Sequence, residues 1–304
     1  MELRPISKVL QEKCVKELNE QPERLVSDIR AIRDWLKKQP HLQNVNPMDQ
    51  WLLSFLRGNK FSLEKTKEKL DMSYTLRTLV PEIFRNRDPL DPELNKVLRK
   101  GLYLPLKKCP KEDGSRPMFV RFDFRDGPLI PIELLMKVAF MIVEILIQDD
   151  DNFIICGEDV IVDLKNIGMA ALSQWTPAIA KKVVTSFEKA LPIRMKSIHI
   201  LNPPKGLETV LNLIKAFMSE KLQKRVGFIF HERFPQESLP EEYGGINGTI
   251  QDLTEYWTTK VESYRDWFLA EEKAHSDESR RTEKPKTTTS LFGIDGSFRK
   301  LDFD

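Results

Sequence analysis

The chain has 304 residues, 40% of them hydrophobic, and its 48 basic and 46 acidic side chains leave a formal net charge of +2. That length and composition suit a soluble globular protein with one large domain, or a main domain with a smaller helical partner. So even a charge balance excludes a dedicated nucleic-acid binder and leaves only local basic patches. Cys14, Cys109 and Cys156 stand far apart and without metal-ligand spacing, which fits a reducing cytoplasm better than a disulfide-stapled secreted protein.

Residues 1–14 are charged from the second position and lack the apolar core of a signal peptide. Residues 1–88 read as all-helical. Leu25, Ile29, Ile32 and Leu36 fall on one stripe of an amphipathic helix that ends before Pro40. A compact apolar helix follows over residues 51–61, stopped by Gly58, and Ser62 caps the next one, running toward Pro81. The double-proline stretch 87–92 is the expected boundary between this helical domain and a main domain over 89–270.

Beyond a polar turn at 107–117, Met118, Val120, Phe122 and Phe124 alternate with the opposite face and predict a strand. A helix is expected over 132–148, with Glu133, Lys137, Glu144 and Gln148 on one narrow stripe and apolar residues over most of the circumference. Such a helix is buried on at least two sides, either packed wholly into core or lining a cavity with one face. Its most apolar stretch, 134–147, is broken by Lys137 and Glu144 and falls short of the roughly twenty residues that span a bilayer.

Val160-Ile161-Val162 and Ile198-His199-Ile200-Leu201 flank a helix-length segment, the pattern of a buried parallel βαβ unit. The turn at 164–168 lacks the glycines that would cradle a pyrophosphate, so the unit predicts no nucleotide site. Residues 207–218 carry Leu207, Val210, Leu211, Ile214, Phe217 and Met218 on one helical stripe. Leaving six such side chains in water would forgo roughly 9–18 kcal/mol, at about 1.5–3 each, so the stripe must cover something. Its face continues to Lys221 and Arg225: either a solvated helix end, or an anionic contact site beside an apolar lid. A last strand is expected at 228–230, a turn at 239–245 and a helix at 252–271. The charged, threonine-rich stretch 271–290 predicts disorder, within a flexible tail over 271–304 whose end regains apolar residues that could dock back.

No catalytic constellation emerges. His41, His199, His231 and His275 form no ligand pattern, and nucleophile elbow, zinc-helix, P-loop and kinase motifs are all missing. Asp163 ends a strand without a partner to give it acid–base work and reads as a structural cap. Neither enzyme activity, cofactor nor metal is expected. Arg194, Lys196, Lys221, Lys224 and Arg225 collect near the lid. At about 1 kcal/mol per basic residue beside an anionic membrane, they suffice for reversible docking only.

Several stretches together resemble the CRAL-TRIO lipid-binding proteins, in the branch that carries tocopherol and retinaldehyde. They are LLSFLRGNKF at 52–61, VDL at 162–164 with TPAIAKK at 176–182, IHILN at 198–202, IKAFMSEK at 214–221 and LPEEYGG at 239–245. The resemblance implies a helical N-terminal domain followed by an α/β domain, with a mixed, largely parallel sheet and a cavity closed by a gate helix at 207–218. It implies a cavity formed by Met136, Ala139, Phe140, Val143, Val162, Phe187, Leu191, Ile198, Val210, Leu211, Ile214 and Met218. It also implies phosphoinositide binding at Arg57, Arg194, Lys196, Lys221 and Arg225, all basic here. That branch has serines where this chain has Ala139 and Val143, which shifts the expected ligand from tocopherol toward a retinoid, carotenoid or sterol-like molecule. The segment from Arg225 to Leu239 is shorter than in that branch.

The resulting expectation is a monomeric, cytoplasmic carrier of a hydrophobic small molecule that meets phosphoinositide-containing membranes transiently. The alternatives are a phospholipid exchanger, a non-transferring scaffold, or an α/β enzyme acting on hydrophobic substrates.

Overall fold

The computed structural model describes residues 3–123, 129–228 and 236–293. Six helices come first: α1 (Lys8–Leu18), α2 (Leu25–Lys37), α3 (Asp49–Gly58), α4 (Leu63–Leu79), α5 (Pro81–Phe84) and α6 (Pro92–Leu98). Their ends are set locally. The Ser7 hydroxyl accepts the Leu10 amide at the start of α1, and Asn19 closes that helix at φ 61°. Ser62 caps α4 through the Lys65 amide, as expected. Asp91 caps α6, with Pro92 at its first position.

Among the described residues the sheet has five strands in sequential order: β1 (Tyr103–Pro105), β2 (Arg116–Asp123), β3 (Glu158–Asn166), β4 (Met195–Leu201) and β5 (Val226–Phe228). The hairpin pair β1–β2 is antiparallel and the other pairings are parallel, so the sheet is mixed and largely parallel. Val120 lies opposite Val162, and Val162 opposite Ile200, which puts their side chains on one face. Between β2 and β3 run α7 (Ile132–Asp149) and α8 (Asp151–Cys156); between β3 and β4, α9 (Met169–Leu172) and α10 (Pro177–Thr185). The stripe over 207–218 forms α11 (Leu207–Lys215) and the turn after it, followed by α12 (Glu220–Gln223). Two helices, α13 (Ile250–Ser263) and α14 (Arg265–Glu271), replace the single one expected, and α15 (Thr288–Phe292) follows. Phe124, residues 229–230 of the last expected strand, His231, the interior of the shortened segment and the tail beyond 293 lie outside the described residues.

One hydrophobic core runs from Ile29 and Leu56 through Phe140 and Ile161 to Trp257 and Phe292, so it crosses the boundary expected at 87–92. Arg87, at the start of that stretch, is wholly buried. The reason is Glu144. This residue of the expected polar stripe is 2% exposed, accepting from Arg87 Nη1 at 2.6 Å and Arg77 Nη2 at 3.3 Å.

The stretch 271–290, expected to be disordered, carries short helical turns and hydrogen bonds to the N-terminal helices. The Ser276 amide donates to Tyr74 O at 3.1 Å, the Asp277 amide to His41 O at 2.8 Å, and Thr78 Oγ1 to Ser276 O at 2.6 Å. Arg281 sits 2.9 Å from Asp71 and 2.6 Å from Glu278, and Lys286 also pairs with Asp71. Backbone hydrogen bonds and ion pairs hold this strap, so apolar periodicity was the wrong guide to its order.

Candidate functional site

The cavity begins with strand alternation. Val120 and Phe122 on β2, Val160, Val162 and Leu164 on β3, and Ile198 and Ile200 on β4 turn one apolar face of the sheet toward the helices. Opposite them stand Met136 and Ala139 of α7, Val183 and Val184 of α10, and Phe187 just beyond α10. α11 closes the space with Leu207, Val210, Leu211 and Ile214, and Met218 continues its stripe. The cavity volume is about 250 Å³, and hydrocarbon side chains dominate its lining.

Nine of the twelve cavity residues expected from the sequence meet here: Met136, Ala139, Val162, Phe187, Ile198, Val210, Leu211, Ile214 and Met218. Phe140, Val143 and Leu191 do not. Phe140 packs with tilted rings against Phe84, centres 5.1 Å apart, and backs Phe187 at 4.6 Å. Val143 is fully buried in the core, and Leu191 is buried with its carbonyl accepting from Lys69 Nζ at 2.6 Å. Of the two positions without the branch's serines, then, only Ala139 reaches the cavity. Val160 and Leu164, lining residues that the expectation missed, share the alternation of Val162 and were legible from it. Tyr103 was not, because a three-residue strand leaves no periodic signal.

A groove of about 750 Å³ adjoins the cavity, lined by Arg194, Lys196, Lys221 and Arg225 together with Lys60, Lys65, Lys69 and Lys189. Glu17 and Glu188 are its acidic lining residues. Lys196 and Lys221 are exposed. Arg194 and Arg225 are half-buried and donate to the carbonyls of Ile155 and Met195. Burial, reinforced by the neighbouring Arg194 charge, lowers the Lys196 ammonium. Burial holds Lys69 down to about 8 against the pull of Glu188. Cations crowded this closely favour an incoming anion.

Arg57 is the correction. It is 3% exposed, and its Nε and Nη2 donate to the two carboxyl oxygens of Glu20 at 2.9 and 3.2 Å. Its charge is answered inside the protein, and it does not line the groove. Phe187, Met195 and Leu222 line cavity and groove alike, so three side chains form the wall between them. Glu188 reaches from the groove to the end of the apolar stripe that begins on α11, where its carboxylate accepts from Ser219 Oγ at 2.7 Å.

Asp163 is the structural cap expected of it. Its carboxylate accepts from the Lys165 amide at 3.0 Å, from Asn202 Nδ2 at 2.7 Å and from the Tyr243 hydroxyl. These bonds tie the turn around 243 to the sheet. Among the described residues no helix is long and apolar enough to cross a membrane, and no cluster of His, Cys, Asp and Glu has a metal-binding arrangement.

Comparison with known proteins follows this geometry. A CRAL/TRIO domain model matches residues 111–245, and a model described as Pinta-like, UBA domain matches residues 21–94. The human protein named alpha-tocopherol transfer protein-like is 30% identical over 268 residues, 85% of this chain and 76% of that protein. Clavesin-1 of Rattus norvegicus is 28% identical over 242 residues, 77% of this chain and 67% of that protein. The crystal structure of Sfh5 aligns with a TM-score of 0.40 at 13% identity, covering 86% of this chain and 98% of that chain.

Proposed function

Because this chain belongs to the CRAL/TRIO family, we propose that it is a carrier for one hydrophobic small molecule. The molecule is held in the cavity beneath α11 and handed over at membranes whose anionic head groups enter the basic groove. One observation supports this reading above the others: an apolar cavity and a cationic groove share the wall formed by Phe187, Met195 and Leu222. A head group in the groove is therefore sensed within one side chain of the cargo.

The mechanism is a population shift. In water the apolar stripe of α11 is best satisfied by the cavity, and the gate stays closed. At a membrane the same stripe gains hydrocarbon as a second partner, while phosphate in the groove competes for the cations around Glu188. Only this differential affinity opens the gate. The protein acts as a binding protein that meets the membrane peripherally. Cargo of the tocopherol, retinoid or carotenoid type suits a lining dominated by hydrocarbon.

The shared wall also favours a second reading, phospholipid exchange, with phosphate in the groove and an acyl chain passing the wall. Native mass spectrometry of the purified protein, followed by organic extraction, separates the two by the mass of what is bound. The docking step is tested by Lys196→Ala combined with Lys221→Ala, two exposed cations whose loss spares the arginine–carbonyl bonds. At about 1 kcal/mol per cation, release stimulated by phosphoinositide vesicles falls roughly 10–30-fold. Affinity for the cargo in solution stays the same. An equal loss of both would sink the separation of gate from dock.

A further inference from the structure

Glu158 opens β3 and is 1% exposed, yet neither of its carboxyl oxygens has a hydrogen-bond partner among the described residues. Native proteins rarely leave a buried polar side chain in that state, because the desolvation cost goes unrecovered. Strand alternation sets Glu158 on the same face as Val160, Val162 and Leu164, all cavity-lining. Its register partner on β4 is Met195, also lining, at a point where the register between the two strands shifts, and its partner on β2 is Arg116, whose guanidinium is held 2.6 Å from Asp150. Tyr103 of β1 supplies the one hydroxyl among the described lining residues. Burial raises its phenol, and the nearby Glu158 carboxyl raises it further. Glu158 is thus outside the lining itself, but it is paired in register with Met195 and shares a sheet face with Tyr103, and both of these line the cavity.

We propose that Glu158 and Tyr103 form a polar end to the cavity, which takes the uncharged oxygen-bearing head of an otherwise hydrocarbon ligand, a hydroxyl or a carbonyl. The residues at this end fit that chemistry. Burial, then the charge of Asp159, pushes the Glu158 carboxyl up to about 8, so at neutral pH it is mostly the protonated acid, able both to donate and to accept. Asp159 itself is satisfied on the opposite face by the hydroxyls of Ser115 and Ser197. An anionic head would meet a carboxyl already destabilised by a neighbouring negative charge, whereas an alcohol or ketone would not. Met195, unbranched and adaptable, is the side chain that can yield to let such a head reach the acid.

The inference rests on the carrier reading, and the experiment separates their failures. Farnesol and the hydrocarbon farnesene, nearly equal in shape, are titrated into the delipidated full-length protein. Wild type is expected to bind farnesol about tenfold more tightly, the value of one net hydrogen bond to a buried partner. Glu158→Leu should bind the two equally, and Glu158→Gln, which still donates and accepts, should keep the preference. If Glu158→Leu does not fold, Tyr103→Phe decides, with a preference expected to fall about threefold. Equal binding of both probes by wild type overturns the polar end, leaving an acid served by buried water in a carrier that still stands. A preference unaffected by Glu158→Leu or by Tyr103→Phe overturns it too. Binding of neither probe withdraws the cavity reading as well.

Discussion

Arg57 and Glu158 are both charged-type residues taken out of water, and their surroundings resolve the problem in opposite ways. Arg57 is met by Glu20 in a two-bond fork. Sequence similarity assigned it to the groove because a motif preserves residue type but says nothing of what the side chain faces. Glu158 has no such partner among the described residues and gives up its charge, which makes its effect on stability readable through pH. Its folded value is about 8, against an ordinary carboxyl near 4.3 in the unfolded chain. Between those limits the folded protein holds a proton that the unfolded chain has released, so raising the pH favours unfolding. The stabilisation is complete below about pH 4 and is lost as pH rises through about 8. The ligand-free Glu158→Gln variant lacks this titration. Its stability relative to wild type should rise by about 3–4 kcal/mol from pH 5 to pH 8 and level off above that. Thermal unfolding across that range checks it; parallel curves would mean that Glu158 is already charged or already paired.

At the level of elements, the sequence disclosed what periodicity encodes. The stripe of α11, the alternation in β2 and β3 and the Ser62 cap were all legible, because each is a local pattern with one reading. α7 was legible as a buried helix but not in its orientation. Apolar over most of its surface, it presents Met136 and Ala139 to the cavity while Phe140 and Val143 face the core, and a helical wheel cannot tell two buried faces apart. The strap over 271–293 was illegible for another reason. Its partners Asp71, Tyr74, Thr78 and His41 are some two hundred residues away, and no local window contains them. Charge-rich composition alone therefore predicts disorder for a segment whose charges are spent on ion pairs. Ending the chain after Glu271 should strip Asp71 of Arg281 and Lys286 and expose the buried Phe292 contact. A loss of about 3–5 kcal/mol is expected. Chemical denaturation of the truncated protein measures it, and a change under about 1 kcal/mol would mean the strap lies on the surface without stabilising it.

Across the whole molecule, Glu144 joins parts that the sequence presents as separate. One carboxylate on α7 accepts from Arg77 at the end of α4 and from Arg87 beyond α5. Arg77 also donates to Glu271 at 2.6 Å, and the Arg87 guanidinium lies 5.4 Å from the Phe268 ring centre. The N-terminal helices, the cavity helix and the C-terminal helices thus converge on a single buried anion. Such a cluster contributes less to net stability than its bonds suggest, because three charges were desolvated to make it. Removing one member is a different matter, since the others stay buried without compensation. Glu144→Gln should cost about 3–5 kcal/mol, whereas replacing Glu144, Arg77 and Arg87 together with Leu, Met and Met should recover most of that loss. The same convergence, with one core running across residues 87–92, should make the chain unfold as a unit. Urea transitions followed by tryptophan fluorescence, which samples Trp35 and Trp51 as well as Trp175, Trp257 and Trp267, should coincide with those followed by far-ultraviolet dichroism. In Glu144→Gln the common midpoint moves down without splitting. If the tryptophan and dichroism transitions separate in wild type, the N-terminal helices are an independent unit and the buried carboxylate does not bind the halves together.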